Sequence, residues 1–178
     1  MSNEVRNKEL FYKIADVIEN DLSVYDQSWW GAHIYETCPN GDDEALERTK
    51  ARVLEQSCGT SHCIAGHAAV LAGYKPEVRK GYVPAFGKAE AHIVIEINWE
   101  EMFSPNGNVM DHPSDIGRKV LGLSPEEASI LFGEYWRPLD WDDDASDEVN
   151  AKYVAEALRA LGDGWSIYDV TEHESDEW

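Results

Sequence analysis

Apolar residues recur at three- and four-residue steps near the start of the chain. Leu10, Phe11, Ile14 and Ile18 share one face, which predicts a helix over residues 3 to 21, stopped at Asn20-Asp21. The period is then lost. Residues 22 to 40 set Trp29 and Trp30 beside Asp26 and Gln27 and end in a Pro39-Asn40-Gly41 turn, so a loop is expected. A second helix is expected from Asp42 or Asp43 to Gln56. Acids fill its first turn, Arg48, Lys50 and Arg52 follow, and Leu46, Val53 and Leu54 form its inner face.

Small and apolar residues dominate the stretch from Cys58 to Gly73. Gly59 permits a bend, Thr60 or Ser61 can cap a helix, and Gly73 can end it, so a buried helix is predicted over residues 61 to 72. Residues 74 to 90 hold Pro76, Gly81, Pro84 and Gly87 and are expected as loop. A two-residue alternation sets His92, Val94 and Glu96 against Ile93, Ile95 and Ile97, predicting a strand from Ala91 to Ile97. A lone strand is unstable, so Val78 to Val83 is expected to pair with it.

Helical signals return at Pro113-Ser114-Asp115, with Ile116, Val120 and Leu121 inward and Gly122 as the break. Ser124-Pro125-Glu126-Glu127 reads as a capping box opening another helix, with Ala128, Leu131 and Phe132 inward. This hairpin has the outline of a helix-turn-helix reader, but Glu126 and Glu127 would face phosphates, which argues against it. A last helix is predicted from Ser146-Asp147-Glu148 to Gly162, burying Val149, Tyr153, Val154, Ala157, Leu158 and Leu161. The expected fold is therefore α+β and mostly helical: a compact helical domain with one small antiparallel sheet or hairpin. Its core is centred on the helix at residues 61 to 72. Residues 1–178 read as a single domain, with residues 140–178 a strongly acidic C-terminal helix and tail.

Charge changes the picture most. The 178 residues carry 35 acids and 15 bases, a net −20. Residues 140–178 alone hold 13 acids and two bases. Direct binding to nucleic acid or an anionic membrane is excluded as a general function, because phosphate contacts need Lys and Arg. The opening MSNEVRNKEL has neither a basic nor an apolar region, so no secretory leader is expected. No apolar run approaches the roughly 18 residues of a membrane span. Three cysteines, Cys38, Cys58 and Cys63, do not make a disulfide scaffold. A cytoplasmic location is expected, inside a bacterial host cell if the chain is phage-encoded.

Three patches carry a resemblance. Cys58-Gly59-Thr60 followed by Cys63-x-Ala65-Gly66-x-Ala68, the segment Leu121-Gly122-Leu123-x-x-Glu126-x-Ala128-x-x-Leu131-Phe132, and Asp26-Gln27-x-x-Trp30-Gly31 resemble small uncharacterised proteins of bacteriophages and actinobacteria. The resemblance implies a phage-type setting and no particular chemistry. A second, local one is to cysteine enzymes of the papain and transglutaminase-like kind. It lies in Gln56-Ser57-Cys58-Gly59 ahead of Cys63 and in Ala91-His92 opening a strand. It implies Cys63 as nucleophile, His92 as base and Asp111, Asn106 or Asn108 as the group that orients the histidine.

From the residues themselves, Cys63 is either a thiol activated at a helix N-terminus or a small buried core residue. Cys58, Cys63 and His67 could hold zinc, with Cys38, His33 or His62 as fourth ligand, since Cys63 and His67 stand four residues apart on one helix face. The six histidines form no recognised acid–base pair. Trp29, Trp30, Trp136, Trp141 and Trp165 are either core or interface anchors. Trp136 and Trp141 flank Pro138 beside Asp140, Asp142, Asp143 and Asp144, which makes this stretch the expected partner-binding surface.

The expected function is that of an acidic accessory protein that binds a protein with a basic surface. In its strongest form it is a host-directed inhibitor that mimics nucleic acid. Duplex DNA presents about one charge per 1.7 Å, so a dense acidic surface can occupy the same channel. No cofactor is required. The alternatives are a cysteine-dependent hydrolase or acyl transferase using Cys63 and His92, and a zinc-stabilised structural or virion-associated protein.

Overall fold

A computed structural model describes residues 5–21, 34–38, 47–48, 63–84, 91–107, 110–133 and 136–171. Helix outweighs strand among them, and the strands form one antiparallel sheet, so the chain is a mostly helical α+β protein. The elements are α1 (Lys8–Asn20), β1 (Ile34–Cys38), α2 (Ile64–Leu71), β2 (Lys75–Pro84), β3 (Ala91–Phe103) and β4 (Met110–Asp111). They continue with α3 (Pro113–Leu121), α4 (Pro125–Leu131), α5 (Asp147–Gly162) and α6 (Ile167–Val170). No helix among the described residues is long and apolar enough to cross a membrane.

The amphipathic α1 is the hub of the core. Leu10, Phe11, Ile14 and Ile18 are buried as their spacing requires, and α1 packs along α5 as well as on α2 and α3. The centre of the core is thus α1 rather than the expected helix at residues 61 to 72. That helix, α2, packs on α3 and α1. The reason lies in length and pattern. Thirteen residues with a sharp apolar stripe can serve three neighbours, whereas α2 is eight residues that are small and apolar all round.

The capping signals were legible in detail. Ser124 and Glu127 form the capping box of α4, with Pro125 at its first position. Gly122 ends α3 at φ +69, where an added Cβ would stand 2.5 Å from the Val5 carbonyl oxygen. Glu127 also pairs with Arg6, whose guanidinium donates to the Leu161 carbonyl. Partial burial pushes the Glu127 pKa up. Hydrogen bonds from the Ser124 backbone, the Arg6 side chain and the Ser124 hydroxyl outweigh it, and hold the carboxyl below the usual glutamate value. Such a group stabilises the fold above its ordinary pKa, and the contribution fades as pH falls through the depressed value. Glu127→Gln should therefore flatten the loss of stability below about pH 4.3, measured by urea unfolding across the acid range.

Several segments depart from expectation. Residues 22 to 40 are not all loop, because Ile34–Cys38 is a strand lying antiparallel on β3, from Ile34 opposite Ile97 to Cys38 opposite Ile93. The expected loop at 74 to 90 contains β2, and Val78 to Val83 do pair with β3, from Ile97 to His92. β3 itself runs on to Phe103. α2 starts after Cys63 instead of at Thr60 or Ser61, which lie outside the described residues, as does most of the helix expected up to Gln56. On α5, Val149 is 37 % exposed, and Asn150, Ala151 and Ala155 are buried in its place.

Sheet and helices meet in a small cluster of Ala69 from α2, Met102 from β3 and Ile116 from α3, with Tyr74 and Val120 against it. That contact lies at the β4 end of the sheet. The opposite end, at Pro84 and Ala91, carries His92.

Candidate functional site

The loop between α4 and α5 gathers the acidic residues singled out above, and its own hydrogen bonds hold it in shape. Asn150 is buried one turn into α5. Its Nδ2 donates to the Asp142 carbonyl at 2.9 Å and its Oδ1 accepts the Asp142 N–H at 3.2 Å. Both faces of the amide are thus used to clamp one loop residue, as a buried amide demands. The Asp144 N–H then donates to Asp142 Oδ1 at 2.9 Å, closing a tight turn. Asp143 accepts from Arg137 at 2.8 Å and from the Trp141 indole at 3.1 Å, and the Arg137 guanidinium lies over that ring at 5.4 Å. The indole hydrogen bond first, then Arg137, hold the Asp143 carboxyl below its ordinary pKa.

The remaining carboxylates stay uncompensated. Asp140, Asp142, Asp144, Asp147 and Glu148 are exposed and make no ion pair among the described residues. Arg159 and Lys8 are engaged elsewhere, while Lys152 on α5 is exposed and makes no ion pair among the described residues. Arg159 joins Asp16 and Glu19 across the α1–α5 seam, and Lys8 joins Asp163. The arrangement can attract and orient cationic groups through a dense, fixed negative field.

Trp136 is not part of the exposed surface. It is 6 % exposed within the main core, and its indole N–H donates to Thr171 Oγ1 at 3.0 Å. Its place is fixed by a backbone bridge between Pro138 and Thr171, which draws the loop onto the end of α6. Trp141 is half-buried against the core. The exposed large apolar side chains of this region are instead Leu139, Val149, Trp165 and Tyr168. A lone Trp after Gly164 offers no periodicity from which exposure could be read.

The cysteine-enzyme residues are not brought together as a trio. Cys63 does stand at the N-terminus of α2, but it is 1 % exposed and belongs to the core cluster. His92 lies opposite Val83 at one end of β3, while Asp111 on β4 lies opposite Met102 at the other. Ten residues of strand separate those positions, on the order of 30 Å, so Asp111 does not orient His92. Asp111 instead receives Lys119 at 3.1 Å. Asn106 sits in the exposed turn after β3, and Asn108 lies outside the described residues. The burial of Cys63 leads to a direct expectation. Iodoacetamide should leave the Cys63 peptide unmodified in the native protein and label it fully in denaturant, read by mass spectrometry.

Cys63 and His67 are both buried one helical turn apart, as zinc ligands would need. No group of three or more His, Cys, Asp or Glu converges among the described residues, which exclude Cys58, His33 and His62. Cys38 ends β1. The α3–α4 hairpin also leaves an open groove of about 370 Å³, floored by Pro125, Ala128 and Phe132. Asp115 and Arg118 edge it with opposite charges, so it does not share the character of the acidic loop.

Comparison of the chain with protein-family models, with curated proteins and with solved structures finds no match.

Proposed function

We propose that this chain is an acidic accessory protein that acts by binding another protein through a basic surface on that partner. The observation that carries the proposal is the α4–α5 loop: Asp140, Asp142 and Asp144 are exposed and make no ion pair among the described residues, Asp147 and Glu148 continue them into α5, and the buried Asn150 fixes the backbone. Acidity that served solubility alone would need no such fixed display. A prearranged charge array binds with less ordering cost than a mobile one and steers association at long range. Likeness of the Cys58–Ala68 and Leu121–Phe132 segments to phage and actinobacterial proteins supports a setting inside a bacterial host cell. There the strongest form of the function is inhibition of a nucleic-acid-binding protein by occupying its basic channel.

The test is capture from lysate of the native host at low and high salt, with wild type and Cys63→Ala side by side. The proposal expects one partner retained equally by both and released by salt. A partner or covalent adduct seen only with wild type would instead assign the function to Cys63.

A further inference from the structure

Resting on that acidic-binding reading, we propose that Trp165 and Tyr168 form the contact centre of this surface and that they take an arginine-bearing segment of the partner protein. Trp165 is 58 % exposed and Tyr168 is 44 % exposed, three residues apart across the start of α6. Two large aromatic side chains exposed this close together and rimmed by polar residues form the kind of patch that marks an interaction site. The backbone that carries Trp165 is anchored: its N–H donates to the Ala160 carbonyl at 3.0 Å, and its carbonyl accepts from the Arg6 guanidinium. The Tyr168 hydroxyl donates to Glu126, and its N–H is capped by Ser166. Aromatic side chains have few rotatable bonds and lose little entropy on binding, which is why Trp and Tyr are enriched among interface anchors.

Charge decides the kind of partner. Glu126, which accepts from the Tyr168 hydroxyl, and Asp169, the next residue in the chain, are exposed, and Arg6 is committed to Glu127 and to two carbonyls. The patch is also continuous with the acidic loop. The Leu139 N–H donates to the Val170 carbonyl at 3.0 Å, and Pro138 bridges Thr171, which sets Leu139 and Asp140 beside the end of α6. A planar guanidinium can lie on an indole face while donating to neighbouring carboxylates. An ammonium does this less well, because it is a compact and strongly hydrated charge.

The test uses fluorescein-labelled octa-arginine and octa-lysine peptides, with anisotropy titrations of the whole protein at low and high salt. Wild type should bind octa-arginine more tightly than octa-lysine. Trp165→Ala, which leaves net charge unchanged, should weaken octa-arginine binding about three- to fivefold and abolish the preference. Leu71→Ala, at an exposed apolar position on α2, should bind like wild type. Tyr168→Ala provides a second variant, and thermal melts check that each remains folded. Equal binding by Trp165→Ala and Tyr168→Ala, with salt still releasing the peptide, overturns the contact centre while leaving acidic binding intact. Failure of wild type to bind either peptide at low salt overturns both.

Discussion

Phe11→Ala is expected to lower the unfolding free energy by about 3–5 kcal/mol. Phe11 is fully buried on α1, and its Cβ lies where Gly162 of α5 brings the two helices together. Neither helix can close the resulting hole, because α1 is also fixed against α2 and α3. For a chain of this length the loss corresponds to a melting shift on the order of 10 °C, measurable by calorimetry. A shift under about 3 °C would mean that α1 is not the hub.

Gly117→Leu should cost about 3 kcal/mol, at the upper end for overpacking. Gly117 lies in the middle of α3, where an added Cβ would meet the Ala65 backbone at 3.0 Å and the Phe132 ring at 3.0 Å. Helix propensity alone gives the opposite sign, since Gly→Ala inside a free helix gains about 1 kcal/mol. Gly117→Ala is therefore the sharper sign test. It should destabilise in urea unfolding, because the α2–α3 contact requires a bare backbone. Stabilisation by alanine would show that the helices are not in such close contact.

These two positions mark where the sequence was and was not informative. Phe11 belongs to a stripe at helical spacing, and the Ser124 capping box, Gly122 stop and Ser146 start are chemical signals confined to a few residues. Local signals of that kind survive into the fold. β1 was missed because Ile34–Cys38 is only five residues without clear alternation, and strands are set by pairing partners distant in sequence. Trp136 was misplaced for a similar reason. Its proximity to Asp140 along the chain suggested a wet surface, whereas its hydrogen bond to Thr171 and the Pro138–Thr171 bridge fold it inward. The charge of the α4–α5 loop was plain from composition. Its fixation by Asn150 was not, because nothing local announces that an asparagine eight residues on will clamp Asp142.

Binding through that loop is the central claim, and equal charge at different places tests it most directly. One variant changes Asp140, Asp142, Asp144 and Asp147 to Asn. A second removes the same charge from exposed positions elsewhere, at Glu9, Glu47, Asp115 and Glu156. Partner capture from host lysate at constant salt is then compared with wild type. The loop variant should lose the partner, and the remote variant should retain it. Equal loss in both variants, or none in either, would contradict a binding role for the loop.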